Sequence, residues 1–154
     1  MSESIIKKPF IYTKTGRDKL QKMVEKFVKK NLALLCAVID NDGFFIALEI
    51  DNSIKKSIDL ELLSFYSNLE LLIKNRDGIL DFEQKIEEIS YYGIETYGIR
   101  LLTKNIENGE LLIAILPSWI NLQSILPEFK KLAKKLYNFI KREKFLENIE
   151  YNLI

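Results

Sequence analysis

The chain has 154 residues, of which 47% are hydrophobic and 29% charged, and its formal net charge is +1. This length and composition are typical of a single globular domain with an ordinary hydrophobic core. The sequence contains no histidine, which removes the commonest general base and the commonest metal ligand. It also has no apolar run of about 18 residues or more and no secretory signal pattern, so we expect a cytoplasmic protein.

The charge is distributed unevenly along the chain. Residues 1–30 carry a net charge of +6 and residues 121–144 carry +5, whereas residues 31–120 carry −8 and residues 145–154 carry −2. Two basic helical segments therefore flank an acidic middle. Solvated helix faces explain such a pattern, and so does attraction to an acidic partner or an anionic membrane. The near-neutral total argues against a dedicated nucleic-acid-binding protein.

The first predicted element is an amphipathic helix that ends near residue 30. Thr15 and Asp18 resemble a capping box at its start. Its apolar residues recur at helical spacing and form one stripe. They are Leu20, Met23, Val24, Phe27 and Val28.

A β-hairpin is predicted to follow this helix. Residues 32–39 are almost wholly apolar, and an Asn-Asp-Gly turn connects them to a second apolar run at residues 44–50. Such turns are typical of hairpins because their residues tolerate the positive φ that a tight turn needs. The turn explains Asp40 and Asp42 better than a catalytic pair of carboxylates does. Cys36 lies inside the first run, so we interpret it as a small buried hydrophobe and not as a reactive thiol.

A second helix, the middle helix, is predicted from about residue 59 to about residue 74. Its main apolar stripe consists of Leu62, Phe65, Tyr66, Leu69, Leu72 and Ile73. Leu60, Leu63 and Leu71 fall on the flank or the opposite side of the helix. A helix that lies on one sheet face buries a single stripe, so apolar residues on both sides favour a second burial partner. Cover by nearby loops is the alternative.

Three further strands are predicted after a linker at residues 80–85. They cover about residues 86–92, 94–104 and 110–116, and an Asn-Gly turn precedes the last of them. The last run is continuously apolar, as expected for a central strand. Trp119, just beyond it, is interpreted either as a packing plug or as a surface anchor.

The last predicted helix starts near Ser124, which leaves Pro127 in its first turn, where the missing N–H costs little. Its apolar stripe consists of Ile125, Phe129, Leu132, Ala133, Leu136 and Ile140. Residues 145–154 form a tail with apolar residues at intervals. We expect this tail to fold back on the domain or to dock elsewhere.

The sequence offers no candidate for catalysis. It has neither a P-loop nor a Gly-x-Gly-x-x-Gly fingerprint, so we do not expect the chain itself to bind nucleotide phosphate. Glu87 and Glu88 form a carboxylate pair, but their surroundings do not raise a pKa. No acidic residues have the spacing of a calcium loop. We therefore expect no catalytic residue, no cofactor and no metal, and a protein that is not an enzyme.

The order helix–strand–strand–helix–strand–strand–strand–helix resembles that of the roadblock/dynein light chain domain family over about residues 15–140. Residues 35–47 are similar to the family's apolar first strand, Asp/Gly turn and return strand. Residues 110–117, which lead to Asn121 and Leu122, are similar to its last strand and helix entry. The related longin fold lacks the leading helix, so the strong pattern of the first helix favours the roadblock family.

The resemblance implies an α+β fold with a five-stranded antiparallel sheet in the order 2-1-5-4-3. Helices 1 and 3 would lie on one face of this sheet and helix 2 on the other. The third strand would form one edge of the sheet. We accordingly expect an N-terminal extension at residues 1–14, a roadblock-like domain at residues 15–144 and a C-terminal tail at residues 145–154.

The resemblance also implies a non-enzymatic scaffold or regulator of a small Ras-like GTPase. Family members commonly form homodimers through the edge strand and helix 2. The Lys-, Ile- and Asn-rich composition suggests an AT-rich archaeal or bacterial genome, which favours a GTPase role over a dynein role. The residues expected at the interface are Leu60, Leu63, Phe65, Tyr66, Leu71, Ile86, Ile89 and Tyr91.

Two other functions remain open at the level of sequence. One is a longin-like membrane-trafficking adaptor that places its basic helix face on an anionic membrane. The other is a small-molecule sensor with a profilin-like or PAS-like pocket.

Overall fold

A computed structural model describes residues 12–52, 82–94, 98–107 and 109–152, with side chains up to residue 146. Within these residues the chain forms two helices and six strands. In chain order they are α1 (Lys14–Asn31), β1 (Leu35–Ile39), β2 (Phe45–Ile50), β3 (Phe82–Ile86), β4 (Ile89–Ile94), β5 (Ile99–Asn105), β6 (Leu111–Pro117) and α2 (Leu122–Asn152). The strands form one antiparallel sheet in the order β2-β1-β6-β5-β4-β3.

The expectation of an α+β fold with an antiparallel sheet is confirmed, but the number of strands is wrong. Five strands follow the expected order, with β1 and β6 in the centre, and β3 is an additional strand at one edge. It occupies much of residues 80–85, which the sequence analysis assigned to a linker. The middle helix, predicted at residues 59–74, lies outside the described residues, so its position on the sheet stays a prediction.

The additional strand exists because Glu87 and Glu88 form a two-residue turn. Their φ angles are 47° and 67°, the left-handed region that a tight hairpin turn requires at both central residues. The turn brings Ile86 opposite Ile89. The single strand predicted over residues 86–92 is therefore wrong, since the chain reverses direction within it. Positive φ is unusual for glutamate, which is why the sequence carries no signal for this hairpin.

Helix α1 begins earlier than the capping-box pattern indicated. Thr13, with an extended backbone, is the N-cap, and its Oγ1 accepts a hydrogen bond from the Gly16 N–H at 3.0 Å. This bond satisfies one of the N–H groups that the first turn leaves without a helical partner. The helix ends at Leu32, which adopts a left-handed conformation and donates its N–H to the Val28 carbonyl.

Helix α2 begins at Leu122, two residues before the predicted start. The Asn121 side chain accepts the Gln123 N–H at 2.9 Å, which stabilises this earlier start. Pro127 consequently stands beyond the first turn of the helix and not within it. The helix continues to Asn152, so residues 145–152 of the predicted tail extend it, while the proposed domain boundary at residue 144 stays a prediction.

Both helices pack side by side on one face of the sheet. The rings of Phe27 and Phe129 meet edge to face with their centroids 6.2 Å apart. The Lys30 and Glu128 side chains form an ion pair near one end of the two helices, and Gly16 lies close to Glu143 near the other, so α1 and α2 run antiparallel. The predicted stripes of both helices lie in this core, which confirms that the two basic helices share one face.

The opposite face of the sheet carries a second apolar cluster to which neither described helix contributes. Its buried members alternate along the strands with those of the helix-side core. They are Leu35, Ala37, Ile39, Tyr92, Ile94, Ile99, Leu101, Ile113 and Ile115. All five residues of β1 are buried, as expected for a strand with apolar neighbours on both faces.

A buried carboxylate joins three segments at one end of the domain. Glu110, only 4% exposed, accepts hydrogen bonds at Oε1 from the Tyr12 hydroxyl at 3.0 Å and from Lys144 Nζ at 2.5 Å. Burial, together with the neighbouring Glu110 carboxylate, raises the pKa of Tyr12, so this hydroxyl keeps its proton. Glu110, which directly precedes β6, is thereby linked to the segment before α1 through Tyr12 and to α2 through Lys144.

Replacing Lys144 by Met should destabilise the fold, because the Glu110 carboxylate then stays buried without its cation. We expect the free energy of unfolding, measured by urea denaturation, to fall by about 2–4 kcal/mol, since breaking one side of a buried ion pair costs about 3–5 kcal/mol and Lys144 retains some exposure. Lys134→Met, at an exposed position of the same helix, is the control and should change stability by less than about 0.5 kcal/mol. Equal stabilities for the two variants would contradict the structural role of this ion pair.

Candidate functional site

The two edges of the sheet are protected differently. At the β2 edge, the Gln21 side chain of α1 donates its Nε2 to the Leu48 carbonyl at 2.7 Å and accepts the Leu48 N–H at Oε1 at 3.0 Å. One amide group thus satisfies both backbone groups of Leu48 that would otherwise face a partner strand. Covering an edge in this way is a common defence against edge-to-edge pairing. At Leu48 the β2 edge is therefore not available to a second strand.

The β3 edge lacks such a cover within the described part of the chain. β3 is the last strand of the described sheet, and β4 is the only described strand that pairs with it. Four of its five residues, residues 82–85, are exposed, and the fifth is half-buried. A strand of this kind can accept an additional strand through main-chain hydrogen bonds.

An aromatic and cationic cluster supports this edge on the helix side. The Phe82 ring lies over Gly93, where a Cβ would come within 2.1 Å of it, so no larger residue fits opposite Phe82. The ring centroid is 5.3 Å from that of Tyr91 and 5.2 Å from the guanidinium carbon of Arg100. Arg100 also donates Nη1 to the Ile99 carbonyl at 3.0 Å. Phe82 remains 37% exposed, so it presents an apolar surface that is already held in place.

The three interface residues predicted on the last strands differ in how deeply they are buried. Ile86 is half-buried at the end of β3, and Tyr91 is half-buried beneath Phe82. Ile89 is 1% exposed and belongs to the helix-side core, so it supports the edge from within and offers no surface to a partner. The five remaining predicted residues lie outside the described residues. They are Leu60, Leu63, Phe65, Tyr66 and Leu71.

Two aromatic residues, Phe82 and Trp119, are exposed on the surface of the described domain. Phe82 was not among the predicted interface residues because it lies in the segment assigned to a linker. The three residues that follow it, Glu83, Gln84 and Lys85, are all polar, so the segment does not show the apolar–polar alternation that indicates a strand. Trp119 is 71% exposed, which rules out the packing-plug interpretation and leaves the surface-anchor one.

The polar groups singled out in the sequence have structural roles here. Asp40 Oδ1 accepts the N–H groups of Asp42 and Phe44 at 2.9 and 3.0 Å, so it holds the β1–β2 turn as predicted. Cys36 is fully buried and burial raises the pKa of its thiol, which confirms the interpretation as a small hydrophobe. Glu87 pairs with Lys130, which lowers the pKa of the Glu87 carboxyl and ties the β3–β4 turn to α2.

The described residues contain neither a metal-binding cluster nor a membrane-crossing helix. No group of three or more Cys, Asp or Glu side chains in this part of the chain could hold a metal ion. Neither α1 nor α2 combines the length and the apolar character that a membrane-crossing helix needs.

No protein-family model matches the chain, and no curated protein matches it either. Solved structures do match. MglB of Myxococcus xanthus gives a TM-score of 0.53 at 14% identity, over 88% of this chain and 96% of that one. An MglB with a tetrameric arrangement gives 0.56 at 14% identity, over 90% and 99% of the two chains. LokiProfilin1, solved in complex with rabbit actin, gives 0.51 at 19% identity, over 79% and 96%.

These similarities concern the fold, because sequence identities below 20% do not carry function with them. They confirm the resemblance inferred from the order of elements and from the hairpin at residues 35–47. The chain has the roadblock- and profilin-like fold that the MglB and profilin structures share.

Proposed function

We propose that this chain is a non-enzymatic, homodimeric platform that binds a small Ras-like GTPase. The observation that carries the dimer is the contrast between the sheet edges. The Gln21 amide occupies the backbone groups of Leu48 in the middle of the β2 edge, whereas β3 is exposed along residues 82–85 and has an apolar side chain, Phe82, beside it. A two-fold pair of β3 strands would extend the sheet across both copies.

Hairpin geometry indicates which backbone group would bond to the second copy. The two-residue turn makes Ile86 and Ile89 the hydrogen-bonded pair that closes it. Because hydrogen-bonded and non-bonded pairs alternate in antiparallel strands, the N–H of Lys85 points away from β4. Lys85 is exposed, so a second strand can reach this N–H without displacing a core side chain.

Support for a GTPase partner comes from the family resemblance and from the fold. The roadblock pattern at residues 35–47 and 110–117 implies a scaffold or regulator of small GTPases, and two of the solved neighbours are MglB proteins. One of them has a tetrameric arrangement, which fits a fold that assembles through its surfaces. The dimer would select one nucleotide state of the GTPase through contacts that differ between the two states.

The described polar groups near the β3 edge support binding rather than catalysis. The Arg100 guanidinium stacks on Phe82 and donates to a backbone carbonyl, and the Glu87 carboxylate pairs with Lys130. These groups hold the edge in shape. We therefore do not assign Arg100 the role of an arginine finger.

The mass in solution tests the dimer. We expect sedimentation velocity at micromolar concentration to give twice the chain mass of 18.0 kDa. Lys85→Pro removes the outward N–H and should raise the dimer dissociation constant at least about tenfold, which corresponds to about 1.4 kcal/mol. Lys85→Ala loses the same charge but keeps the N–H, so it should dimerise like the unmodified chain.

Two results would count against the β3 edge. A monomer at concentrations well above the micromolar range would remove the dimer altogether. Equal dimerisation of Lys85→Pro and Lys85→Ala, with circular dichroism showing both folded, would move the contact to another surface.

Binding to small Ras-like GTPases from the same organism tests the partner. Each GTPase is loaded either with GDP or with a non-hydrolysable GTP analogue, and its affinity for the chain is measured by surface plasmon resonance. We expect the affinities for the two states to differ by about tenfold, within the usual range of allosteric coupling.

Actin is the control protein for this experiment, since the profilin neighbour was solved in complex with it. Equal affinity for both nucleotide states would contradict state selection. Binding to actin in the absence of binding to any GTPase would replace the proposal.

A further inference from the structure

The groove between α1 and α2 contains a basic cleft of about 100 Å³. Lys26 and Lys30 line it from α1, and Lys131 and Lys135 line it from α2. Within each helix the two lysines are four residues apart and therefore lie on the same face, one turn from each other. The antiparallel packing of the helices brings the two pairs to the same cleft.

The charge in this cleft is only partly neutralised. Glu128 is the one acidic residue that lines it, and its Oε2 pairs with Lys30 Nζ at 3.2 Å. Four lysines and one glutamate leave a local charge of +3. Among the described residues, no carboxylate forms an ion pair with Lys26, Lys131 or Lys135.

This arrangement works against the stability of the free protein. Like charges at positions i and i+4 of a helix repel each other, and here two such pairs face one cleft. Lys26, Lys131 and Lys135 have no carboxylate partner in the described part of the chain that would offset the repulsion. A bound anion would offset it for both helices at once.

The floor of the cleft is apolar, with Phe27 and Leu132 buried and Met23 half-buried, so the lysine stems rest on hydrocarbon while their ammonium groups stay at the rim. The carboxyl-terminal end of α1 lies beside the cleft, and its partial negative charge, about half an elementary charge, opposes an anion. The net charge of +3 from the lining side chains outweighs this effect.

We propose that this cleft binds a phosphate group. Its volume is well below the roughly 300 Å³ at which pockets begin to hold drug-sized ligands, but it accommodates one compact anionic group. Lysine binds phosphate as a point charge and needs no glycine-rich loop. The phosphate belongs either to a free phosphorylated metabolite or to a lipid headgroup. The site is distinct from the β3 edge and does not depend on the proposed GTPase role.

Two probes separate the sources of the phosphate. The first is pyrophosphate in solution, with affinity measured by NMR titration at constant ionic strength against chloride. The second is co-sedimentation with phosphatidylglycerol vesicles, compared with phosphatidylcholine vesicles. Binding to pyrophosphate alone indicates a free phosphate, and binding to phosphatidylglycerol vesicles alone indicates a headgroup. Either result supports the site when the variants below respond as expected.

A pair of triple variants separates the cleft from the general charge of the helix layer. The cleft variant combines Lys26→Gln, Lys131→Gln and Lys135→Gln. The control combines Lys22→Gln, Lys29→Gln and Lys134→Gln, which remove the same charge from exposed positions of the same helices that do not line the cleft. Circular dichroism and urea denaturation check that both variants fold.

We expect the cleft variant to bind the effective probe at least about tenfold more weakly, because charge-assisted hydrogen bonds are lost, and the control to change by less than about twofold. Equal losses in both variants would show diffuse electrostatic attraction and overturn the site. Absence of binding to both probes would overturn it as well.

Discussion

The central constraint on this fold is that β1 and β6 are apolar on both faces. A strand of this kind has to lie between other strands and between two covering layers, because either exposed face would leave a row of aliphatic side chains in water. The helix layer of α1 and α2 covers one face, and a second apolar cluster occupies the other. The remaining strands are then added outward from β1 and β6, which leaves β2 and β3 as the two edges.

The difference in exposure between the β2 and β3 edges follows from how each strand contacts the helices. β2 lies beside α1, close enough for the Gln21 amide to bond to both backbone groups of Leu48. The β3–β4 hairpin contacts the helix layer through Ile89 of β4, which lies in the helix-side core, and through an ion pair between Glu87 in its turn and Lys130 of α2. Neither contact covers β3, and residues 82–85 stay exposed. The exposure of β3 thus results from the fact that the turn and β4, and not β3 itself, make the contacts with the helix layer.

The packing of α1 against α2 also determines where the lysines of the helix layer lie. Each helix buries one apolar stripe, so the lysines that remain must lie on its outer surface or along its flanks. Because the helices are antiparallel and adjacent, the flanking lysines of α1 and α2 meet above Phe27 and Leu132. The core packing thus also determines where positive charge is concentrated. The exposed β3 edge and the basic cleft are separate consequences of one arrangement of layers.

The sequence by itself determined the elements whose pattern is local. The apolar stripes of α1 and α2, the hairpin with its Asp40 turn and the central position of β1 and β6 were all predicted, because periodicity and turn chemistry reflect burial directly. The order of these elements was sufficient to indicate the roadblock-like fold. The residues predicted on the middle helix, Leu60 and Leu71 among them, lie outside the described part of the chain and stay predictions.

Only the tertiary structure decided the features that depend on contacts between distant segments. β3 forms because Glu87 and Glu88 adopt positive φ in the turn that pairs it with β4, a conformation that their residue type does not favour. Ile89 was assigned to the interface by its place in the sequence, yet the sheet directs it into the core. The hydrogen bonds between Gln21 and Leu48 and the meeting of lysines from two helices likewise require residues that are remote in sequence, so no local pattern contains them.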